Sequence, residues 1–361
     1  MGQGWIARRT GFGLGTFLAL TLVGCTSDNN AYQADGGVAD GAAASGSDGA
    51  RPGSDGSRPK GDGNVVRSDS GAPVSDGSPT SPDSQPWPTK PCGFKLGDNP
   101  AFTIGGVSRR FFVEMINVPA GYQGKLPIYF AYHGLGSSAY SFRGWIDAVA
   151  QNKPFIKVTP HALTPSQYPV WDFKTDPSKS VDIKFFDEMI GCLNAEYKVD
   201  LNRIHALGFS MGGHWVDYLA THRGNVLASF AQASGGFFGF EKGSPLYFEW
   251  PAMDLIGKLT NRPAALVAWG GINDNPTGQF SFHDAALETI KVFRAGKLFV
   301  LACMHDKGHK WPPDGIAKFM FMFFEDHPKG VNPEPYAKGP PSTTPFTGTS
   351  KAWPTWCSVA P

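Results

Sequence analysis

The stretch Ile204-His205-Ala206-Leu207-Gly208-Phe209-Ser210-Met211-Gly212-Gly213-His214 joins an apolar run of strand length to the pattern G-x-S-x-G. A helical pattern follows at once, from Trp215 to His222, which gives the order of strand, tight turn and helix that this pattern requires. Side chains at Gly208 and Gly212 would collide with the neighbouring helix and strand, so glycine is sterically required there. Ser210, at the turn, is our candidate nucleophile.

Strands and helices alternate on both sides of this stretch. The predicted strands are 102–104, 108–118, 126–132, 155–159, 203–209, 227–233, 264–269 and 297–302, and the predicted helices are 140–150, 181–197, 212–222, 282–293 and 315–324. Such alternation predicts a mostly parallel sheet covered by helices on both faces, with function at the carboxyl ends of its strands. The first two strands form a hairpin that adds antiparallel strands at one edge. The pattern is that of the α/β-hydrolase fold.

The partners of the serine should follow it in the order acid, then histidine. Asp274 comes just past the predicted strand 264–269, and His309 lies in the loop after the last strand. His305 and His309 have i,i+4 spacing that a helix could turn toward a metal. Gly308 and the Trp311-Pro312-Pro313 stop argue against a helix there, and no third ligand is evident. We therefore expect a Ser-His-Asp triad with no metal and no cofactor.

An oxyanion hole needs two backbone donors placed near the serine. The N–H of Met211, the residue after the serine, is one candidate. The other is the N–H of Leu135, with Gly136 as its neighbour, in the turn His133-Gly134-Leu135-Gly136 after the third strand. His214 lies on the helix after the serine, where packing or capping is the expected role.

These motifs resemble the secreted polyhydroxybutyrate depolymerase and feruloyl esterase group, which overlaps carbohydrate esterase family one. The resemblance covers about residues 91 to 327 and rests on Pro91-Cys92-Gly93, His133-Gly134-Leu135-Gly136, Tyr197-Lys198-Val199-Asp200-Leu201-Asn202-Arg203-Ile204, Gly208-Phe209-Ser210-Met211-Gly212-Gly213 and Gly308-His309-Lys310-Trp311-Pro312. In that group the acid sits in Gly-x-x-Asp-x-x-Val-Pro; Gly271-Ile272-Asn273-Asp274 keeps the first half, and Asn275-Pro276-Thr277 departs from the second. The resemblance implies a serine esterase that works by two-step acyl transfer.

An aromatic insertion runs from Gly235 to Trp250. It could accept a phenolic acid or stack on sugars, and it could equally cap the sheet, because aromatic residues are chiefly core residues. The candidate substrate-binding residues are His133, Trp171, Phe237, Phe238 and Trp311. We expect plant cell-wall esters of the feruloyl or acetyl xylan type as substrates. The alternatives are a polyhydroxyalkanoate depolymerase and a non-catalytic polymer-binding lipoprotein on the same fold.

The N-terminus has the pattern of an export signal. Arg8 and Arg9 precede the apolar run 11–24, which is short for a membrane span. Leu22-Val23-Gly24-Cys25 resembles a bacterial lipobox, which implies a signal peptide over residues 1–24 and a lipid on Cys25. Thr26 then favours the outer membrane or cell surface, and a plain secretory signal is the alternative.

Residues 25–90 are rich in Gly, Ser, Asp and Pro, with an aspartate every seven residues from Asp48 to Asp83. No apolar residues occupy the a and d positions of this heptad, so it predicts a disordered tether rather than a coiled coil. The domain 91–361 follows and ends in a Pro-rich strap after Pro328. The net charge of +1 gives no support to a nucleic-acid partner. We expect a monomer.

After lipidation of Cys25 four cysteines remain, namely Cys92, Cys192, Cys303 and Cys357. An even number in an exported chain predicts two disulfides, with three pairings open. We favour Cys92 with Cys357, which would fasten the two ends of the domain. That choice leaves Cys192 with Cys303.

Overall fold

The computed structural model describes residues 90–144, 146, 147, 150, 152–164, 169–237, 252–276, 278, 280–313, 315–332, 334–339 and 354–361. All of them belong to one compact unit, Gly77–Pro361. The expected signal peptide, the lipidation site Cys25 and the tether up to residue 89 lie outside the described residues. The same holds for Phe238 and the rest of the aromatic insertion as far as Trp250.

The described residues form one sheet of nine strands in the order β1-β2-β4-β3-β5-β6-β7-β8-β9. The strands are Gly97–Ile104 (β1), Val107–Ile116 (β2), Leu126–Tyr132 (β3), Phe155–Pro160 (β4), Val199–Phe209 (β5), Ser229–Ala233 (β6), Ala264–Trp269 (β7), Val300–Met304 (β8) and Cys357–Val359 (β9). The strands from β4 to β8 pair in parallel. The hairpin β1–β2 adds antiparallel strands at one edge, as predicted, and β9 adds a further antiparallel strand at the other.

Helices cover both faces of this sheet. They are Ala139–Phe142 (α1), Val181–Glu196 (α2), Met211–Arg223 (α3), Ala252–Gly257 (α4), Phe282–Ala295 (α5) and Ile316–Asp326 (α6). One buried cluster joins the sheet to α2, α3, α4 and α5, and a second joins the opposite face to α1 and α6. Because both faces are covered, β3, β4, β6 and β7 are buried along their whole length. In β5, the adjacent residues Ala206 and Leu207 belong to the first and the second cluster.

The helix predicted over 140–150 is much shorter, because α1 ends at Phe142. Gly144 follows, a residue with low helix propensity. The carbonyl of Arg143 accepts a hydrogen bond from the buried Nζ of Lys157 on β4, and so does the carboxylate of Asp147. In a longer helix the Arg143 carbonyl would accept a backbone hydrogen bond from residue 147 instead of the bond from Lys157.

The favoured disulfide pairing is wrong. The bonds join Cys92 to Cys192 and Cys303 to Cys357. The tail, predicted as an extended strap, ends in β9, where Cys357 lies directly opposite Cys303 on β8. Cys92 precedes β1, which packs beside α2 and therefore beside Cys192. The pairing of β8 with β9 and the packing of β1 beside α2 decide which cysteines meet. The spacing of the cysteines along the chain does not indicate either contact.

Among the described residues, no helix combines the length and the apolar character needed to cross a bilayer.

Candidate active site

Ser210 lies at a sharp turn between β5 and α3. Its backbone has φ 57° and ψ −122°, a strained conformation for a residue with a side chain. A Cβ at Gly208 would lie 2.1 Å from the carbonyl oxygen of Gly212, and a Cβ at Gly212 would lie 2.1 Å from that of Tyr132 on β3. Both glycines are therefore sterically required, and together they present the serine at the carboxyl edge of the sheet.

The structure brings Ser210, His309 and Asp274 into one hydrogen-bonded chain. His309 Nε2 lies 2.9 Å from Ser210 Oγ, and His309 Nδ1 lies 2.7 Å from Asp274 Oδ1. The three residues are carried by the ends of β5, β7 and β8, which run parallel, so their following loops meet at one edge. The arrangement matches the geometry by which a serine is activated through a histidine and a carboxylate.

The carboxylate of Asp274 is fully buried and accepts hydrogen bonds at both oxygens. Oδ1 faces His309, while Oδ2 accepts 2.7 Å bonds from the hydroxyl of Ser234 and the N–H of Gly270. Burial by itself would raise the pKa of Asp274, but the bonds from His309, Gly270 and Ser234 outweigh it and lower the pKa below its ordinary value. Asp274 thus remains a carboxylate at neutral pH.

The imidazole of His309 is stacked with two aromatic rings. Phe209 stacks on it with ring centroids 5.1 Å apart, and Phe282, the first residue of α5, stacks on it at 4.3 Å. Its side chain is 9% exposed. Both nitrogens therefore have hydrogen-bond partners, and the ring has two stacked aromatic neighbours.

The two predicted oxyanion donors, Met211 and Leu135, lie in segments next to the serine. Met211 is the first residue of α3, and the N–H of a first helical residue has no acceptor within its helix. Leu135 and Gly136 lie in a turn closed by a bond from the N–H of Ser137 to the carbonyl of Gly134. This turn touches the serine, because a Cβ at Gly134 would lie 3.2 Å from Ser210 Cβ.

His133 is fully buried beneath this turn. Its Nδ1–H donates to the carbonyl of Gly134 at 2.8 Å, and its Nε2 accepts from the N–H of Ala162 at 3.1 Å. Burial lowers the pKa of His133 to about 4, so the ring is neutral at neutral pH. In the structure this side chain holds the turn to the end of β4, and its predicted contact with substrate is untested.

The other predicted substrate-binding residues differ in burial and in the contacts they make. Trp171 is 3% exposed and donates its indole N–H to the carbonyl of His133. Phe237 is 9% exposed and packs edge to face against Phe293 of α5. Trp311 is half-buried and contacts Phe142 and Phe209 near His309. Phe238 lies outside the described residues.

The remaining histidines of this region make other contacts. His214 is buried and donates from Nδ1 to the carbonyl of Gly236 at 2.5 Å. His305 is buried too, and its Nδ1 accepts from the N–H of Lys307. No group of three or more His, Cys, Asp or Glu side chains that could hold a metal lies among the described residues.

Sequence reasoning missed three residues around the triad, namely Ser234, Gly270 and Phe282. Each directly follows a predicted strand or begins a predicted helix, so their place at the functional edge could have been suspected. No local pattern distinguishes them from ordinary loop or helix residues. Ser234 meets Asp274 40 residues further along the chain, and Phe282 meets His309 on a different loop. Gly270 donates to Asp274 only 4 residues away, but a glycine after a strand is too common to identify that bond from sequence.

This geometry can move a proton from a hydroxyl to an imidazole and stabilise the charge that results. Ser210 Oγ is within hydrogen-bond reach of Nε2, and the carboxylate faces the opposite nitrogen. The N–H of Met211, at the start of α3 next to the serine, suits an oxygen that gains negative charge.

No family model matches the chain. It is similar to an oxidized polyvinyl alcohol hydrolase of Pseudomonas sp, with 26% identity over 211 residues, 46% of this chain and 54% of that protein. It is also similar to a bifunctional acetylxylan esterase/xylanase of Neocallimastix patriciarum, with 26% identity over 131 residues, 35% of this chain and 18% of that protein. The solved structure of native pOPH has a TM-score of 0.55 and 21% identity, and the match covers 75% of this chain and 97% of that one.

The chain thus spans about half the length of the first curated relative and under a fifth of the second. The match to a solved structure confirms the predicted fold, which is the α/β-hydrolase fold. An acetylxylan esterase among the relatives agrees with the resemblance to an esterase group that the motifs carry.

Proposed function

We propose that this protein of α/β-hydrolase fold is a serine hydrolase of carboxylic esters, with Ser210, His309 and Asp274 as its triad. The observation that carries the proposal is the unbroken chain of hydrogen bonds from Ser210 Oγ through both nitrogens of His309 to Asp274. The strained backbone of Ser210 supports the proposal, because strained conformations cluster at active sites, where the surrounding structure enforces them.

The proposed reaction has two steps. Ser210 Oγ attacks the ester carbonyl carbon while His309 Nε2 takes its proton, and Asp274 stabilises the imidazolium. The N–H groups of Met211 and Leu135 bind the oxyanion. His309 then returns the proton to the departing alcohol, and a water activated by the same nitrogen releases the acid and frees the serine. No cofactor takes part.

For the substrate we infer a plant cell-wall ester, of the feruloyl or acetyl xylan type. The resemblance to an acetylxylan esterase supports this class. The similarity to an oxidized polyvinyl alcohol hydrolase supports a second candidate, an oxidised synthetic polymer. There Ser210 would attack the ketone carbonyl of a 1,3-diketone unit, the bond to the central carbon would break, and His309 would protonate the departing enolate carbon in place of an alcohol.

The first experiment compares the purified chain with Ser210→Ala and with Ser229→Ala, a control at a buried serine of β6 that bonds His205 instead of the triad. The panel holds methyl ferulate, acetylated xylo-oligosaccharide, a 3-hydroxybutyrate oligomer, oxidised polyvinyl alcohol and a p-nitrophenyl ester. We expect hydrolysis by the wild type and by Ser229→Ala, and a loss of at least a thousandfold in Ser210→Ala.

The preferred member of the panel identifies the substrate class. Equal activity of the wild type and Ser210→Ala would exclude Ser210 as nucleophile. A wild type that cleaves no ester but sediments with insoluble xylan would instead be the non-catalytic polymer-binding protein.

We further propose that the chain is exported and anchored by a lipid on Cys25, with residues 25–90 as a tether and a monomeric catalytic domain. The support is the sequence alone, namely the basic residues, the apolar run and the lipobox-like Leu22-Val23-Gly24-Cys25. In a bacterial host, labelled fatty acid should be incorporated into the wild type and not into Cys25→Ser. Incorporation into both would contradict the anchor.

A further inference from the structure

Ser234 makes a side-chain hydrogen bond to the triad carboxylate of Asp274. It is the residue after β6, it is fully buried, and its hydroxyl donates to Asp274 Oδ2 at 2.7 Å. That oxygen faces away from His309, so Ser234 and the N–H of Gly270 together occupy the side of the carboxylate opposite the imidazole.

The backbone of Ser234 is held in an uncommon conformation. Its φ is 48°, in the left-handed region that residues with a Cβ rarely adopt. Two hydrogen bonds hold the peptide group that joins Ala233 to Ser234. The N–H of Ser234 donates to the carbonyl of Ala268 on β7 at 2.7 Å, and the carbonyl of the preceding Ala233 accepts from the N–H of Ser210 at 2.9 Å. The residue thus bridges the strand of the nucleophile and the strand of the acid.

We propose that Ser234 is a positioning residue for the triad, which fixes the orientation of the Asp274 carboxylate toward His309. The inference rests on the proposed function, since it concerns how that site works. A carboxylate free to rotate about its Cβ–Cγ bond would present Oδ1 to His309 only part of the time, and a strong donor on Oδ2 removes that freedom.

The same bond should set the acid side of the rate profile. The Ser234 hydroxyl helps to lower the pKa of Asp274, so its removal raises the pH at which Asp274 takes up a proton and stops orienting His309. The other titratable groups that interact with this carboxylate are His305 and His214, both buried. Both stay unchanged in the test below.

Two variants separate the hydroxyl from the backbone. Ser234→Ala removes the hydroxyl and keeps the cost of the left-handed backbone, whereas Ser234→Gly removes the hydroxyl and relieves that cost. Ser229→Ala is the matched control, because Ser229 is equally buried on the same strand and bonds His205. All three are compared with the wild type in the purified chain, by thermal unfolding and by kcat and KM for a p-nitrophenyl ester from pH 4 to 9.

We expect both Ser234 variants to lose about ten- to a hundredfold in kcat, with little change in KM, and to move the acid limb to higher pH. Ser234→Gly should unfold at a higher temperature than Ser234→Ala while losing as much activity. Ser229→Ala should keep the wild-type kcat and acid limb. Recovery of kcat in Ser234→Gly, or an unmoved acid limb in both variants, would overturn the proposal.

A measurement that does not depend on catalysis tests the positioning role of Ser234 separately from the proposed ester hydrolase function. The low-field proton NMR signal of His309 Nδ1–H reports its bond to Asp274, and we expect it to shift in both Ser234 variants and not in Ser229→Ala. If the wild type cleaves no ester but the signal shifts, the ester hydrolase proposal fails and the positioning role stands. If the signal is the same in all four proteins, the positioning role fails.

Discussion

At the scale of single residues, the ring of His309 is held by two hydrogen bonds and two stacked rings. Asp274 and Ser210 contact its two nitrogens, and Phe209 and Phe282 stack on it. Proton transfer needs Nε2 to keep its aim at Ser210 Oγ, so the stacked rings should matter for rate as well as for stability.

Replacing Phe282 by leucine tests this. Leucine keeps an apolar contact but offers no flat face, so His309 gains freedom to tilt, and we expect kcat to fall about ten- to a hundredfold. Phe293→Leu is the control, because Phe293 is buried on the same helix and packs on Phe230 and Phe237 instead of the triad. Steady-state kinetics and thermal unfolding of both variants are compared. A loss of kcat in Phe293→Leu as large as in Phe282→Leu would contradict the role.

At the scale of elements, the loops after β7 and β8 are fitted against each other. The N–H of Gly308 donates to the carbonyl of Gly270 at 3.2 Å, and His305 N–H donates to the carbonyl of Trp269 at 2.9 Å. A Cβ at Gly270 would lie 1.9 Å from the carbonyl oxygen of Gly308, next to His309. The distance between acid and base therefore depends on the absence of a side chain at Gly270.

The variant Gly270→Ala should push the two loops apart. We expect a loss of about a hundredfold or more in kcat, since a shift of roughly 1 Å suffices for that, together with lower stability. Gly257→Ala, at the end of α4 where a Cβ would meet nothing within 4 Å, should leave kcat unchanged. The two variants are compared by kcat and by urea denaturation. A Gly270→Ala protein with wild-type kcat would contradict this prediction, because the two loops would then accommodate the added side chain without loss of activity.

At the scale of the whole molecule, several histidines are buried in their neutral form. Burial lowers the pKa of His133, His214 and His222 to about 4, from an ordinary value of 6.5. Between these two values the unfolded chain binds protons that the folded chain does not, so folding stability must fall as the pH drops from about 6.5 toward 4.

The free energy of unfolding should therefore be several kcal/mol lower at pH 5 than at pH 7, with each of these histidines contributing about 1 to 2 kcal/mol. Urea denaturation at the two values measures the difference. His222→Phe, which cannot take up a proton, should show a smaller difference than the wild type. If the wild type had the same free energy of unfolding at pH 5 and pH 7, the lowered pKa values of these buried histidines would be refuted.

The two disulfides close loops of different length, with sequence separations of 100 and 54 residues. Removing either by a double Cys→Ser change should cost about 2 to 4 kcal/mol of unfolding free energy, because the unfolded chain gains freedom. Unfolding curves of the two double variants check the cost. Peptide mapping without reduction should recover Cys92 joined to Cys192; a fragment with Cys92 joined to Cys357 would contradict the structure.

The sequence by itself determined the features that depend on neighbouring residues. The strand, turn and helix around Ser210 follow from an apolar run and from glycines at fixed offsets, and both are local properties. The parallel sheet follows from the alternation of strand and helix patterns. The order of Ser210, Asp274 and His309 along the chain was enough to nominate all three, because in parallel sheets function gathers at one edge.

Only the tertiary structure decided which distant residues meet. The pairing of Cys357 with Cys303 depends on the tail joining the sheet as β9, and the stacking of Phe282 on His309 depends on how α5 packs. Ser234 reaches Asp274 across 40 residues of chain. Contacts of this kind leave no period or spacing in the sequence, because they arise from the order of the strands in the sheet and from the packing of side chains between elements.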